Sequence, residues 1–305
     1  MTISDSHVER AVSVTPGPTR PPRGSTAPRV RRRRGAHFDD GLMGVALLAG
    51  PANVIMQLAR PGVGYGVLES RVESGRVDRH PIKRARTTFT YLAVATKGSD
   101  TQKAAYRRAV NKAHAQVYST DESPVKYNAF DKDLQLWVAA CLYKGGVDVY
   151  RVFIGEFDDA TADQHYVDGM SLGTTLQVPA EMWPTDRKAF DEYWQRSLAQ
   201  VHIDDTVRDY LYPIAANRIR GVKLPGPIQR WHENTALLIT TGFLPQRFRD
   251  EMRLPWDEER QRRFDRLMRV LSVVNHALPS AIRQFPFNIL LWDLDRRVRK
   301  GIPLV

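Results

Sequence analysis

The chain has 305 residues, 42% of them hydrophobic and 26% charged, at a mean hydropathy of −0.41. These values exclude a wholly disordered chain and a polytopic membrane protein, and they supply enough apolar surface for one large domain or two ordinary ones. The formal charge of +11 raises nucleic-acid binding as a function class, but residues 1 to 35 hold eight Arg against Asp5 and Glu9, so +6 of it belongs to one end and only +5 to the other 270 residues.

That first segment also holds five Pro and almost no large apolar side chains, a composition that cannot offset its own ordering entropy. Residues 1–36 are therefore expected to form a disordered basic tail, and 37–305 one helical domain. The Arg31 to Arg34 run is either solvated charge or a loose anchor for phosphate or anionic lipid; no DNA-reading motif accompanies it, so no specific nucleic-acid partner is expected. Gly41 to Ala59 has no charged residue, yet Asp39 and Asp40 precede it and Pro51, Asn53 and Gln57 interrupt it. This pattern suits a buried core helix better than an export signal or membrane span, and it predicts a cytoplasmic protein whose membrane contact, if any, is peripheral.

Gly62, Gly64 and Gly66 have the wrong spacing for a nucleotide loop and follow a helix-like stretch. Next, Arg84 and Thr88 stand four apart, one above the other on a helix face. A cation and a hydroxyl so placed either begin a solvated basic helix or, in an apolar cavity, stabilise a negatively polarised oxygen species or bind a haem carboxylate. Ser99 and Gln102 form a capping box, after which Tyr106, Val110, Ala113 and Val117 share one face of a helix predicted to run to about Tyr118. His114 falls near that face among small residues. It reads either as a core histidine bonded to a carbonyl or as the single neutral imidazole that b-type haem ligation requires.

Asp131 can cap a helix whose body, Leu134 to Leu142, is apolar nearly all round and is expected to stop at Gly145-Gly146. Within it lies the only cysteine, Cys141, whose apolar neighbours predict a buried structural thiol; one cysteine excludes disulfides, zinc ribbons and covalently attached haem. Further helices are predicted from Thr185, over 228–241, over 257–277 and over about 280–299, joined by proline-rich segments near 179–184, 225–227 and 245–255. The class is all-α, a single multi-helix domain with room for an internal cavity. His80, His165, His202, His232 and His276 sit in polar or loop-like contexts without i, i+4 pairing, so no multi-histidine metal site is expected.

Arg84 to Thr88, Tyr91-Leu92, Val110 to Val117, Tyr127 to Asp131 and Leu136 to Ala140 occur in an order that resembles the oxygenase family of rubber oxygenases (latex clearing proteins) and MpaB-type proteins, over about residues 40 to 295. The resemblance implies a globin-like helical core around one haem b, with His114 as axial iron ligand and Arg84 and Thr88 on the opposite side. It also implies an acidic residue one helix earlier as a base, for which Glu69 is the nearest counterpart. On this basis the chain is expected to be a haem-dependent oxygenase acting with O₂ on an apolar, isoprenoid or lipid-like substrate. Rubber oxygenases are secreted and this chain shows no convincing signal peptide, so polyisoprene is not the expected substrate. The rival reading is a haem-free helical protein that binds a lipid or isoprenoid at the membrane surface.

Overall fold

A computed structural model describes residues 37–72, 81–218 and 225–305; the expected basic tail and His80 lie outside them. Among the described residues there is no β-strand, only an isolated antiparallel bridge between Tyr118 and Asn128. The class is all-α, as the apolar periodicity predicts.

Two 3-10 turns, Phe38–Gly41 and Gly44–Ala49, lead into α1 (Gly50–Leu58) and α2 (Pro61–Leu68). The long apolar stretch is therefore a core segment but not one continuous helix. α3 (Pro81–Lys97) and α4 (Asp100–His114) follow as a pair. Ser99 caps α4 as expected: its Oγ accepts from the Gln102 amide at 3.3 Å and its own amide donates to Gln102 Oε1 at 2.9 Å. α4 ends at His114 rather than near Tyr118, because Tyr118 leaves the helix to pair with Asn128.

α5 (Lys132–Phe153) is the central element, its first amides satisfied by the Asp131 carboxylate. Trp137, Ala140 and Cys141 on it are fully buried, and the Trp137 indole stacks on Trp194 with ring centres 5.2 Å apart. Contrary to expectation, α5 runs straight through Gly145-Gly146. The glycines are there for close packing: a Cβ on Gly145 would lie 2.3 Å from Asn53 Nδ2, and one on Gly146 would lie 2.3 Å from Phe38 Cζ. The cost of about 1 kcal/mol per helical glycine is offset by that approach.

α7 (Ser171–Thr174) packs directly on α5; α6 (Asp159–Gly169) and α8 (Arg187–Leu198) meet it at the Tyr143 ring through Tyr166 and Phe190, and α9 (Asp205–Ala215) packs on α1 and α2. Asp186, not Thr185, caps α8. His165, expected in a polar context, is buried on α6 with Phe38, Tyr150 and Phe157 around its ring. α10 (Gly226–Phe243), α11 (Gln246–Glu251) and α12 (Glu258–Ala277) complete the main core. The last expected helix is broken: α13 (Ser280–Arg283) and α14 (Phe287–Lys300) flank a cis Phe285-Pro286 bond. Pro286 supplies no amide hydrogen to carry a helix through that point. α14 packs along α3, with Phe89 and Phe287 edge to face. Among the described residues no helix is long and apolar enough to cross a membrane.

Candidate functional site

α2, α3, α4, α5 and α7 enclose a cavity of about 270 Å³ with mainly apolar walls. From α3 come Arg84, Thr88 and Tyr91; from α4 come Tyr106, Val110 and His114. Three of the four site residues expected from the sequence thus share one wall-lined space. The capping box at Ser99 determines where α4 begins, and the 3.6-residue period then places Tyr106, Val110, Ala113 and His114 toward α3.

His114 stands at the last turn of α4 beside Phe130, ring centres 6.2 Å apart. Its Nδ1 is buried without a hydrogen-bond partner. The alternative of a core histidine bonded to a carbonyl through that nitrogen is therefore not what the structure shows. Burial first, then the nearby Arg84 charge, pushes the imidazole down to about 4, so the ring is neutral at physiological pH.

Arg84 donates from Nη1 to Thr88 Oγ1 at 2.8 Å, and the Thr88 hydroxyl in turn reaches the Arg84 carbonyl at 3.2 Å. No carboxylate among the described residues pairs with this guanidinium, and burial lowers its affinity for the proton. An arginine on an apolar cavity wall without a counter-ion is costly unless an anion or a strongly polarised oxygen arrives there. Arg86, one turn-step away, instead points to Asp293 on α14 at 3.8 Å, and Thr87 hydrogen-bonds back to Lys83 at 3.0 Å. It is Arg84 with Thr88 that the helix presents as a hydrogen-bonded pair.

Glu69 is placed differently. It is exposed at the C-terminal end of α2 and is not part of the cavity wall. Its Oε2 accepts from the Tyr127 hydroxyl and from Ser123 Oγ, both at 2.6 Å. Tyr127 does line the cavity, and burial together with the Glu69 hydrogen bond pushes its hydroxyl up to about 12. Glu69 therefore reaches the cavity only through Tyr127.

Sequence reasoning missed a polar chain that reaches the cavity at Gln135. Gln135 Nε2 donates to the Ala129 carbonyl and to Gln177 Oε1, each at 2.6 Å, and Gln177 donates to Asn111. These residues come from α5, the segment after α7, and α4, and no local pattern links them. Tyr91, of the Tyr91-Leu92 motif, and Tyr106, on the apolar face of α4, anchor their hydroxyls on the carbonyls of Leu172 and Thr87. Among the described residues no group of three His, Cys, Asp or Glu side chains could hold a bare metal ion.

A mainly apolar cavity with a neutral histidine on its wall and an arginine that no described carboxylate pairs with suits an organic ligand. The sequence matches the family model of the ER-bound oxygenase mpaB/B'/rubber oxygenase catalytic domain over residues 40–273, and the chain belongs to that oxygenase family. Uncharacterized proteins of Mycobacterium bovis and Mycobacterium tuberculosis are each 52% identical to it over 259 residues, 85% of this chain and 100% of theirs. The solved structure of latex clearing protein in the closed state aligns with 17% identity and a TM-score of 0.45, covering 88% of this chain and 72% of that one.

Proposed function

We propose that this oxidoreductase is a haem b-dependent oxygenase that acts with O₂ on an apolar, isoprenoid or lipid-like substrate. The observation that carries the reading is the joint placement on one apolar cavity of a neutral His114 with a partnerless Nδ1 and an Arg84 that no described carboxylate pairs with. The residues fit haem b: a neutral imidazole that would bind its iron, an apolar wall that would take the macrocycle, and a buried cation that would meet an anionic or polarised group. Haem b, when bound, supplies an iron centre at which O₂ is activated.

His114 would hold the cofactor, and burial keeps its imidazole in the neutral form that binds a metal. Arg84, fixed by Thr88, offers the positive charge that the cavity otherwise leaves uncompensated. The Tyr127 hydroxyl, bonded to Glu69, holds a proton at the cavity wall and is the route by which Glu69 would act as a base. The apolar walls exclude water and select an apolar substrate.

The test is the absorption spectrum of protein expressed with haem supply, as isolated and after dithionite and carbon monoxide, beside His114→Ala. A Soret band that responds to both treatments and is lost or altered in a folded His114→Ala protein is expected. Purified protein with only aromatic absorbance and no uptake of added hemin would overturn the assignment and leave a lipid-binding cavity.

A further inference from the structure

The C-terminal third of the chain exposes apolar side chains in a way that the cavity does not explain. Val273 and Val274 on α12, Ile282 on α13, Phe285 at the break, and Ile289 and Trp292 on α14 are between 46% and 65% exposed. They follow one another along a continuous stretch of chain. On α14, Ile289, Trp292 and Arg296 lie at i, i+3 and i+7 and form the outer face, opposite the buried Phe287, Leu290 and Leu294.

The end of α12 and the break before α14 meet at one place: Asn275 donates to Met43 Sδ at 3.4 Å, and the Phe285 carbonyl lies against Gly44. Apolar side chains so exposed along one stretch, Trp292 at 62% among them, need a partner.

The charge around the face identifies its class. Residues 266–305 hold seven Lys and Arg against two Asp, a net +5. Both acids are turned to other work: Asp293 bonds Arg296 and Arg297, and Asp295 accepts from Gln102 on α4. Arg266, Arg269, Arg299 and Lys300 remain exposed, and Arg296 lies over the Trp292 ring, 5.8 Å from its centre. A second copy meeting this face symmetrically would bring like charge against like charge. An anionic lipid surface complements both features, with tryptophan and phenylalanine at headgroup depth and arginines on the phosphates.

We infer that the face formed by α12, α13 and α14 docks in the plane of an anionic membrane. No described helix spans a bilayer, so the engagement is interfacial. Its position serves the cavity: Leu291 and Leu294 on the inner side of α14 pack on Tyr91, Tyr106 and Val110, which line it. One helix thus separates the docking face from the cavity wall. The inference concerns surface chemistry alone and does not depend on which cofactor the cavity takes.

The experiment is flotation of the full chain with vesicles of phosphatidylcholine containing phosphatidylglycerol, beside vesicles of phosphatidylcholine alone. Binding to the anionic vesicles is expected, and Phe285→Glu with Trp292→Glu should lower the partition coefficient by about tenfold. Val167→Glu, an equally exposed apolar position on α6, should leave it unchanged. Lipids brominated on their acyl chains should quench the fluorescence of the wild type. Trp292→Phe should keep the binding and lose much of that quenching, which controls against misfolding of the charged variants. Wild-type protein that ignores anionic vesicles, partition untouched by the Glu substitutions, or quenching that survives the Phe substitution would each overturn the inference. The second of these outcomes would assign lipid attraction to the basic N-terminal segment. A dimer in sedimentation that Trp292→Glu dissociates, without vesicle binding, would assign the face to self-association.

Discussion

Replacing Arg84 by methionine should make the ligand-free protein more stable while weakening whatever the cavity binds. Among the described residues Arg84 makes one side-chain hydrogen bond, to Thr88, and a charged hydrogen bond of this kind contributes about 1.5–3 kcal/mol. Thr88 is not stranded by its loss, since its hydroxyl already reaches the Arg84 carbonyl. Against that stands the desolvation of a guanidinium that no described carboxylate pairs with, a penalty of several kcal/mol even after relaxation. Methionine keeps much of the apolar stem and adapts to irregular space. The net expectation is a gain of about 1–3 kcal/mol, or roughly 2–5 °C in Tm for a domain of this size. Scanning calorimetry on protein stripped of ligand measures it. With a haem or other anion-bearing ligand in the cavity, the wild type should gain more from binding than the variant, so the order narrows or reverses. A ligand-free Arg84→Met protein destabilised by more than about 1 kcal/mol would refute the reasoning, because Arg84 would then be a structural residue.

His114 titrates near 4 in the folded protein against an ordinary 6.5, so between those values the unfolded chain binds the extra proton. Stability of the ligand-free protein should therefore fall as pH drops from 6.5 toward 4, by up to about 3 kcal/mol, and His114→Gln should flatten that part of the denaturation profile. Gly242→Ala should destabilise by about 1–3 kcal/mol, since its Cβ would lie 2.2 Å from the Phe264 ring. Gly41→Ala, with nothing within 4 Å, is the control in the same urea titration. Cys141 is fully buried and its thiol is pushed well up by burial, so a thiol reagent such as Ellman's should react only on unfolding. Rapid reaction of the native protein would contradict the packing of α5.

Much of the fold was legible because the signals are local. The Ser99 and Gln102 side chains meet amides within one turn, Asp131 does the same for α5, and the apolar run from Leu134 to Leu142 has no side that could face water. These features need nothing from the rest of the chain. The glycine pair at 145 and 146 looked like a stop for the same reason: glycine at a helix end and glycine under a crossing side chain are the same letters. Only Asn53 and Phe38, some ninety residues earlier, distinguish them.

The site divides in the same way. Residue type and family motif singled out His114, Arg84 and Thr88, and the four-residue spacing put the latter two within a hydrogen bond. Neither the missing partner of His114 Nδ1 nor the absence of a described carboxylate beside Arg84 can be read from residue type alone. Both depend on what α2, α5 and α7 do and do not bring to the cavity. Glu69 shows the converse, a carboxylate at a suitable place in the chain that the turn after α2 carries outside the wall, leaving Tyr127 between. The sequence by itself determined an all-helical chain, its main caps and the residue types of the site. Tertiary structure decided which charges are compensated and which apolar faces are covered, because those depend on partners brought together from distant segments.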